Sequence, residues 1–384
     1  MKHRTNMIQG TILSIVFLIF ATVVYWINQP VDGAVATAAS KAIFEKAHVS
    51  ELLTDNASPD TWTEGLRLGT QEAVLVVDSG DYKDQELYTM NYLGAYGNID
   101  LKVGTKVIIR LDIDETGSPY ITSIVNYDRS AMLIGLAVIF VASLVIFGGK
   151  KGVAAITGLV FTVFSIWFFM IPLLQRGVPA ILSAILLVAI TTFVSLVVLN
   201  GFSKKTFIAV VGCVGGVTIA GIISYLAGMI TPINGFNMPE AEELILRSAD
   251  EGLRVSGLLV SGVLIASLGA VMDVALNIAS AVAELHDMNP KASAKSLFKS
   301  GLNIGRDTMG TMANTLILAF AGASLNMLVL FRVFDYPYIQ IFNSDLMSIE
   351  IIQGLVGSIG IVLTVPLVAV LSAVLYGAKH ETKR

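Results

Sequence analysis

The sequence predicts an α-helical polytopic membrane protein of about eight transmembrane helices, with a small external β-rich domain after the first helix. Three observations lead there. Hydrophobic residues make up 54% of the 384 residues, charged residues only 14%, and the mean hydropathy is +0.74. Soluble domains carry about 25% charged residues, so composition alone indicates an integral membrane protein. Apolar runs of about 20 residues, the length needed to cross a bilayer, recur near 8–27, 130–148, 153–174, 179–200, 207–231, 254–285, 306–331 and 351–377. Between the first two runs, within the region 29–129, strand patterns recur from about residue 70.

The first run follows Lys2 and Arg4, as a secretory signal does. It ends at Tyr25-Trp26, an interfacial anchor, without a small-residue cleavage site, so an uncleaved anchor over 1–28 is expected. The region 29–129 holds 16 acidic and 8 basic residues. Its first part, from Ala34 to His48, is rich in helix formers and is expected to be helical, with β structure from about 70. Ala73–Val77, Glu86–Tyr92, Lys106–Ile113 and Tyr120–Val125 read as strands, separated by turn signals at Ser79-Gly80-Asp81 and Thr116–Pro119. Four or five strands in about 60 residues fit a small barrel or open sheet. Nothing in this region has a catalytic pattern, and a packing or docking module is the expectation. Residues 130–384 are expected to form a seven-helix bundle. The loop after the fifth run, Thr231 to Arg254, contains an amphipathic stretch suited to the membrane interface.

Basic residues orient the bundle. With the N-terminus inside, the cytoplasmic segments hold 13 Lys and Arg, among them Lys150, Lys151, Lys204, Lys205, Lys291 and Lys295, whereas the short external loops hold 4, Arg176, Arg247, Arg254 and Arg332. This asymmetry puts both termini in the cytoplasm and 29–129 outside the cell membrane.

Within the sixth run stands Asp273. An ionised Asp at the bilayer centre costs roughly 3 kcal/mol on insertion scales, so such a residue usually faces protein or water and serves function. At about 100° per residue, Asp273, Asn277, Ser280 and Glu284 fall in a stripe roughly 60° wide. In the seventh run Asn303, Asp307, Thr311 and Asn314 share a stripe about 80° wide, beside Arg306. If the two helices pack, with Gly262, Ala266 and Gly269 allowing close approach, the stripes are expected to converge on one ion- or solute-binding site. Arg306 would then neutralise Asp307 or Glu284. Two bland readings stand beside this one: Arg306 and Glu284 snorkelling to the inner boundary, and Asn314 holding helices together.

At these two stretches the sequence resembles the YibE/F family of bacterial membrane proteins. The resemblance is carried by Gly269-Ala-Val-Met-Asp273 with Ile278-Ala-Ser280 and Glu284, and by Gly305-Arg-Asp-Thr-Met-Gly-Thr-Met-Ala-Asn314-Thr-Leu. Weaker agreement lies at Ser79-Gly-Asp-Tyr, Asn91-Tyr-Leu, Gly104-Thr-Lys-Val-Ile and Ser203-Lys-Lys-Thr, over most of 70–377. Asp84 stands where the family more often has Gly, a difference confined to a turn. The resemblance implies the architecture and carries over no catalytic residue.

The function expected is a transporter or permease for an ion or small polar solute, its site lined by intramembrane carboxylates. No Walker sequence or other ATPase motif occurs, so coupling to an ion gradient or a partner is implied. A receptor or envelope-assembly scaffold using the external domain is the alternative. An aspartyl-type hydrolase using Asp273 and Asp307 is a third reading, weakened because Asp307 is expected near the inner boundary and Asp273 deeper. The four histidines, His3, His48, His286 and His380, offer no metal-site pair within a run, and the single Cys213 offers no disulfide framework. No cofactor is called for, no catalytic motif is found, and the metal question stays open. The partners expected are the lipid bilayer and a small solute or ion, with a paired membrane protein or a homo-oligomer left open. Nothing resembles a basic nucleic-acid face.

This topology is checked by cysteine labelling with a membrane-impermeant reagent. Asp100→Cys should label from outside and Lys204→Cys only after the membrane is opened; labelling of both from one side would overturn it.

Overall fold

The computed structural model describes residues 2–29, 42–114, 116–239, 241–251 and 255–377. They divide into two compact units, Val35–Ser143 and Met1–Ala34 with Leu144–Arg384.

The first unit is an antiparallel half-barrel. Its strands are β1 (Ala42–Asp55), β2 (Ser58–Pro59), β3 (Arg67–Val77), β4 (Glu86–Leu93), β5 (Lys106–Ile113) and β6 (Pro119–Tyr127). Strand β1 is central, pairing β3 on one side and β5 on the other; β4 extends the sheet beyond β3, and β6 lies outside β5. The Thr89 hydroxyl on β4 donates to the Thr122 carbonyl on β6 at 2.9 Å, drawing the two ends together. This is the strand order of an OB-type Greek-key barrel. All four sequence-predicted strands are present. The stretch from Ala42 to His48 is a correction: it begins β1 and is not a helix, while residues 34–41 lie outside the described residues. Helix propensity is a weak preference, and the antiparallel pairing of Ala42–His48 with Lys106–Asp112 of β5 outweighs it. His48, expected on a helix face, instead points from β1 to Asp78, Nδ1 to Oδ1 2.8 Å.

Alternate residues fill the barrel: Ala47, Val49, Ala73, Leu75, Val77, Val107, Ile109 and Leu111 are wholly buried. A polar network closes one end. Gln71 donates to Asp100 and the Leu101 carbonyl and accepts from Leu101 N–H and Asn91. Arg67 reaches Asp100 at 2.6 Å and Asp55 at 2.9 Å, which holds the Asp55 carboxyl below its ordinary value. These bonds pin residues 98–101, which have no strand partner, across the barrel mouth.

In the second unit, α1 (Lys2–Ile27) ends at a clasp. Arg176 donates to the carbonyls of Ile27 at 2.8 Å, Gln29 at 2.9 Å and Trp26 at 3.1 Å, and lies 5.3 Å over the Trp26 ring. A guanidinium thus satisfies carbonyls that a helix C-terminus leaves free. Helix α2 (Ser130–Ser165) runs through a π turn, Ile166–Met170, into α3 (Ile171–Gln175). It is broken at Gly149, whose φ of 52° and ψ of −131° only glycine adopts readily. A Cβ on Gly152 would collide with the Leu144 carbonyl, two turns away in a straight helix, so the chain bends back on itself there.

The bundle core is made by α4 (Ala180–Asn200), α5 (Lys204–Ile230), α7 (Leu258–Met288), α8 (Ala294–Ala323) and α11 (Asp345–Gly377). Glycines let them approach: a Cβ on Gly360 would lie 2.8 Å from Ala220, on Gly357 2.7 Å from Leu316, and on Gly221 3.0 Å from Leu264. Such contacts replace the hydrophobic drive that lipid removes. Buried hydroxyls of Thr191 and Thr364 donate to carbonyls four residues back, leaving no free donor. The amphipathic stretch after α5 is α6 (Ala241–Glu251). Helix α8 is followed by α9 (Leu325–Val333), the pair bent by 56°, and by the short α10 (Tyr338–Phe342). Among the described residues five helical segments are long and apolar enough to cross a membrane, and the bent pair makes a sixth. One of them, Ser130–Gln175, is 46 residues long and contains the Gly149 break.

Where β6 runs into α2, Asp128 accepts from the Ser130 hydroxyl and backbone N–H, with the Lys46 ammonium 3.1 Å away; together these hold its carboxyl at about 2, against an ordinary 3.8. The fold favours the ionised form, so its contribution is complete above 3.8 and is lost as pH falls toward about 2. Thermal unfolding of the barrel should therefore hold steady from about pH 6 to about pH 4 and fall below that. Asp128→Asn should remove that part of the decline.

Candidate functional site

Helix α7 begins after Gly257, which takes the left-handed conformation, and runs 31 residues to Met288. Its apolar side chains Leu264, Val271, Val274, Ala275, Ile278 and Val282 are buried. Asp273 stands at the midpoint, about 160° round the helix from the centre of that face at 100° per residue. Asp273, Asn277 and Glu284 are exposed and Ser280 is half-buried. Helix α8 buries Leu297, Gly301 and Gly305, whereas Asn303, Arg306, Asp307, Thr311 and Asn314 are all exposed. Both stripes thus lie on the outward side of helices that pack by their other side. Helices in lipid join through small and apolar groups, and a Cβ on Gly305 would stand 2.9 Å from Ile278.

The depth of each polar residue follows from the helix pairing. A Cβ on Gly301 would lie 3.2 Å from Val282, and one on Gly305 meets Ile278. The same antiparallel register sets Asn303 level with Ser280, Arg306 with Asn277, Gly310 with Asp273, and Asn314 with Gly269. Asp307 is then about 4.5 Å along the axis from Asp273 at 1.5 Å per residue. The two carboxylates stand at nearly one level along the helix pair, where the apolar runs alone put Asp273 deeper: only five residues separate α7 from α8, and α8 starts earlier than its apolar run implies.

What the structure brings together is depth, not contact. Among the described residues no hydrogen bond or ion pair joins any two of the nine, and Arg306 pairs with neither Glu284 nor Asp307. The Thr311 hydroxyl donates to its own helix, to the Thr308 carbonyl at 2.8 Å. Of the small residues expected between the two helices, Ala266 and Gly269 are exposed and a Cβ on Gly269 would meet nothing within 4 Å, while one on Gly262 would lie 3.7 Å from Gln353. Among the described residues no group of three or more His, Cys, Asp or Glu gathers as metal ligands would.

Sequence reasoning passed over two groups. Glu350 on α11 has a buried Oε2 without a hydrogen-bond partner among the described residues; its signal was an acid inside the apolar margin Ser348-Ile-Glu350-Ile. His286 on α7 lies with its ring 5.1 Å from Tyr376, over which Lys204 stands at 6.0 Å. That contact joins residues far apart in the chain, and no local pattern announces it.

Long apolar helices packed through glycine, with charged groups at mid-length, are consistent with a membrane protein of the helical class. The chain belongs to the YibE/F-like family, whose profile matches residues 136–378 and so covers the helical bundle and not the barrel. No curated protein and no solved structure matches the chain.

Because Asp273 has no hydrogen-bond or ion-pair partner among the described residues, Asp273→Asn should leave unfolding of the protein in detergent within about 0.5 kcal/mol of the wild type. A loss several times larger would make Asp273 a structural residue.

Proposed function

We propose that this protein is a membrane transporter or permease moving an ion or small polar solute. The observation that carries the reading is a carboxylate at mid-length of each of two adjacent helices, Asp273 on the α7 stripe with Asn277 and Asp307 on the α8 stripe with Asn303, Thr311 and Asn314, the two at nearly one level. A desolvated ion needs oxygen ligands or a counter-charge where water is excluded, and these stripes offer both at the depth where lipid offers neither. Carboxylates attract cations and exchange protons, so a cation, a proton-coupled solute or both suit the stripes. Coupling comes from an ion gradient or a partner. The protein sits in the cell membrane with eight spans, α2 and its continuation counting as two across Gly149, both termini in the cytoplasm, and residues 29–129 outside.

A receptor or envelope-assembly role is the second reading, and one feature favours it. Outside the barrel, Tyr88, Met90 and Tyr92 project from β4, and Trp62 and Tyr96 stand exposed in loops. Aromatic residues free of a core are the usual anchors of a binding surface.

Comparing metal and metabolite content of cells with and without the protein identifies what is moved. Asp273→Asn keeps size and hydrogen bonding but removes the charge, so that difference should disappear while the protein remains folded and in the membrane. Undiminished movement by the variant would end the carboxylate reading.

A further inference from the structure

We propose that the outer face of β3 and β4 binds a cationic peptide segment of a partner protein, a lysine of which lies between the Tyr88 and Tyr92 rings above Glu72. The proposal rests on the second reading above, a binding role for the barrel, and names the partner's chemistry.

The strand pairing assembles this face. Side chains of directly opposed residues stand on one side of an antiparallel sheet. Tyr88 opposes Val74, Met90 opposes Glu72 and Tyr92 opposes Thr70. On the far side of β3, Glu51 of β1 opposes Val74 and Thr54 opposes Glu72. The barrel core takes the alternate residues, Gln71, Ala73, Leu75, Thr89 and Asn91, so these rows look outward. Glu72 is therefore flanked diagonally by both tyrosines, roughly 7 Å away, and by Glu51. Tyr88, Met90 and Tyr92 are exposed, and Glu72 is half-buried among them. The Tyr88 hydroxyl reaches toward the Glu72 carboxylate. Partial desolvation, and then the Glu72 charge, raises that hydroxyl above its ordinary 10.

The charges on the face are of one sign. Glu51, Glu72 and Glu86 stand on it, Glu86 opposing Val76, with no Lys or Arg in the same rows. Among the described residues none of these three acids has an ion-pair partner. His48 opposes Val76 from β1 but is taken by Asp78. Such a surface repels a phosphate-bearing ligand and draws a cation. Two exposed tyrosine rings beside a carboxylate offer that cation both the ring quadrupoles and an opposite charge. Met90 between them gives the aliphatic stem of a lysine an apolar floor. An extended peptide suits the rows, because its alternate side chains face the sheet at the same two-residue spacing.

The test is binding of a dye-labelled Lys-Thr-Lys-Thr-Lys peptide to the full chain in neutral detergent, read by fluorescence anisotropy at about 0.15 M salt. Glu72→Gln and Tyr92→Leu should each weaken binding about five-fold, whereas Tyr92→Phe, which keeps the ring, should bind as the wild type does. Asp81→Asn removes the same charge in the loop between β3 and β4, off the face, and should change affinity by less than about two-fold. Trimethylation of the peptide's lysines removes their N–H donors and keeps their charge, so affinity should hold. Absence of saturable binding, equal weakening by Asp81→Asn and Glu72→Gln, or loss on trimethylation overturns the proposal. Equal competition by phosphoethanolamine also overturns it, since the ligand would then be a lipid headgroup. Photocross-linking in cells from Met90→p-benzoylphenylalanine captures a protein on the face whatever its charge. An adduct lost with Glu72→Lys supports the cationic partner; one that survives removes it and leaves the barrel's binding role standing.

Discussion

A bilayer accepts no unpaired charge and no free backbone group, and the packing of these long apolar helices is consistent with that constraint. It is why buried threonines bond back to their own helices, and why Arg176 gathers the carbonyls at the end of α1. It is also why glycine recurs wherever α5, α7, α8 and α11 touch: with no hydrophobic gain between helices, attraction comes from close contact, and a side chain at Gly305 or Gly360 would hold the helices apart. Against this background two features of the described residues stand out: the outward stripe around Asp273 and the buried, unpartnered Oε2 of Glu350.

The barrel obeys the opposite solvent. Water can satisfy its edges, so its core is a conventional alternation of Val, Leu, Ile and Ala, and its polar network works by pinning a loop. Gln71 is the hinge of that network, wholly buried and bonded through both ends of its amide to Leu101. With a family match confined to residues 136–378, the barrel and the bundle are joined in one chain but answer to different constraints.

The carboxylates illustrate how position changes meaning. An Asp in an apolar run usually turns inward, toward other helices, because that is the cheapest escape from lipid. Here the inward face of α7 is filled by Val271, Ile278 and Val282 against the glycines of α5 and α8, leaving no room for a hydrated group. The polar stripe is on the far side, away from the contacts of α7 with α5 and α8.

How much was legible in advance follows the range of each interaction. Composition, the length of the apolar runs and the distribution of Lys and Arg act along the chain, and they announced a helical membrane protein with a strand-rich insert. The four strands over 73–125 were legible because alternation is a local signal. The beginning of β1 was not, since Ala42–His48 is a strand because β5, more than fifty residues further along the chain, pairs with it. The two polar stripes were likewise visible from helical periodicity, which tells which residues share a face but not what that face looks at. Only the tertiary structure, through the packing of Gly301 on Val282 and Gly305 on Ile278, decided that the stripes stand at one depth and point away from the core. Periodicity is a property of one helix, whereas direction and depth belong to a pair of helices in contact.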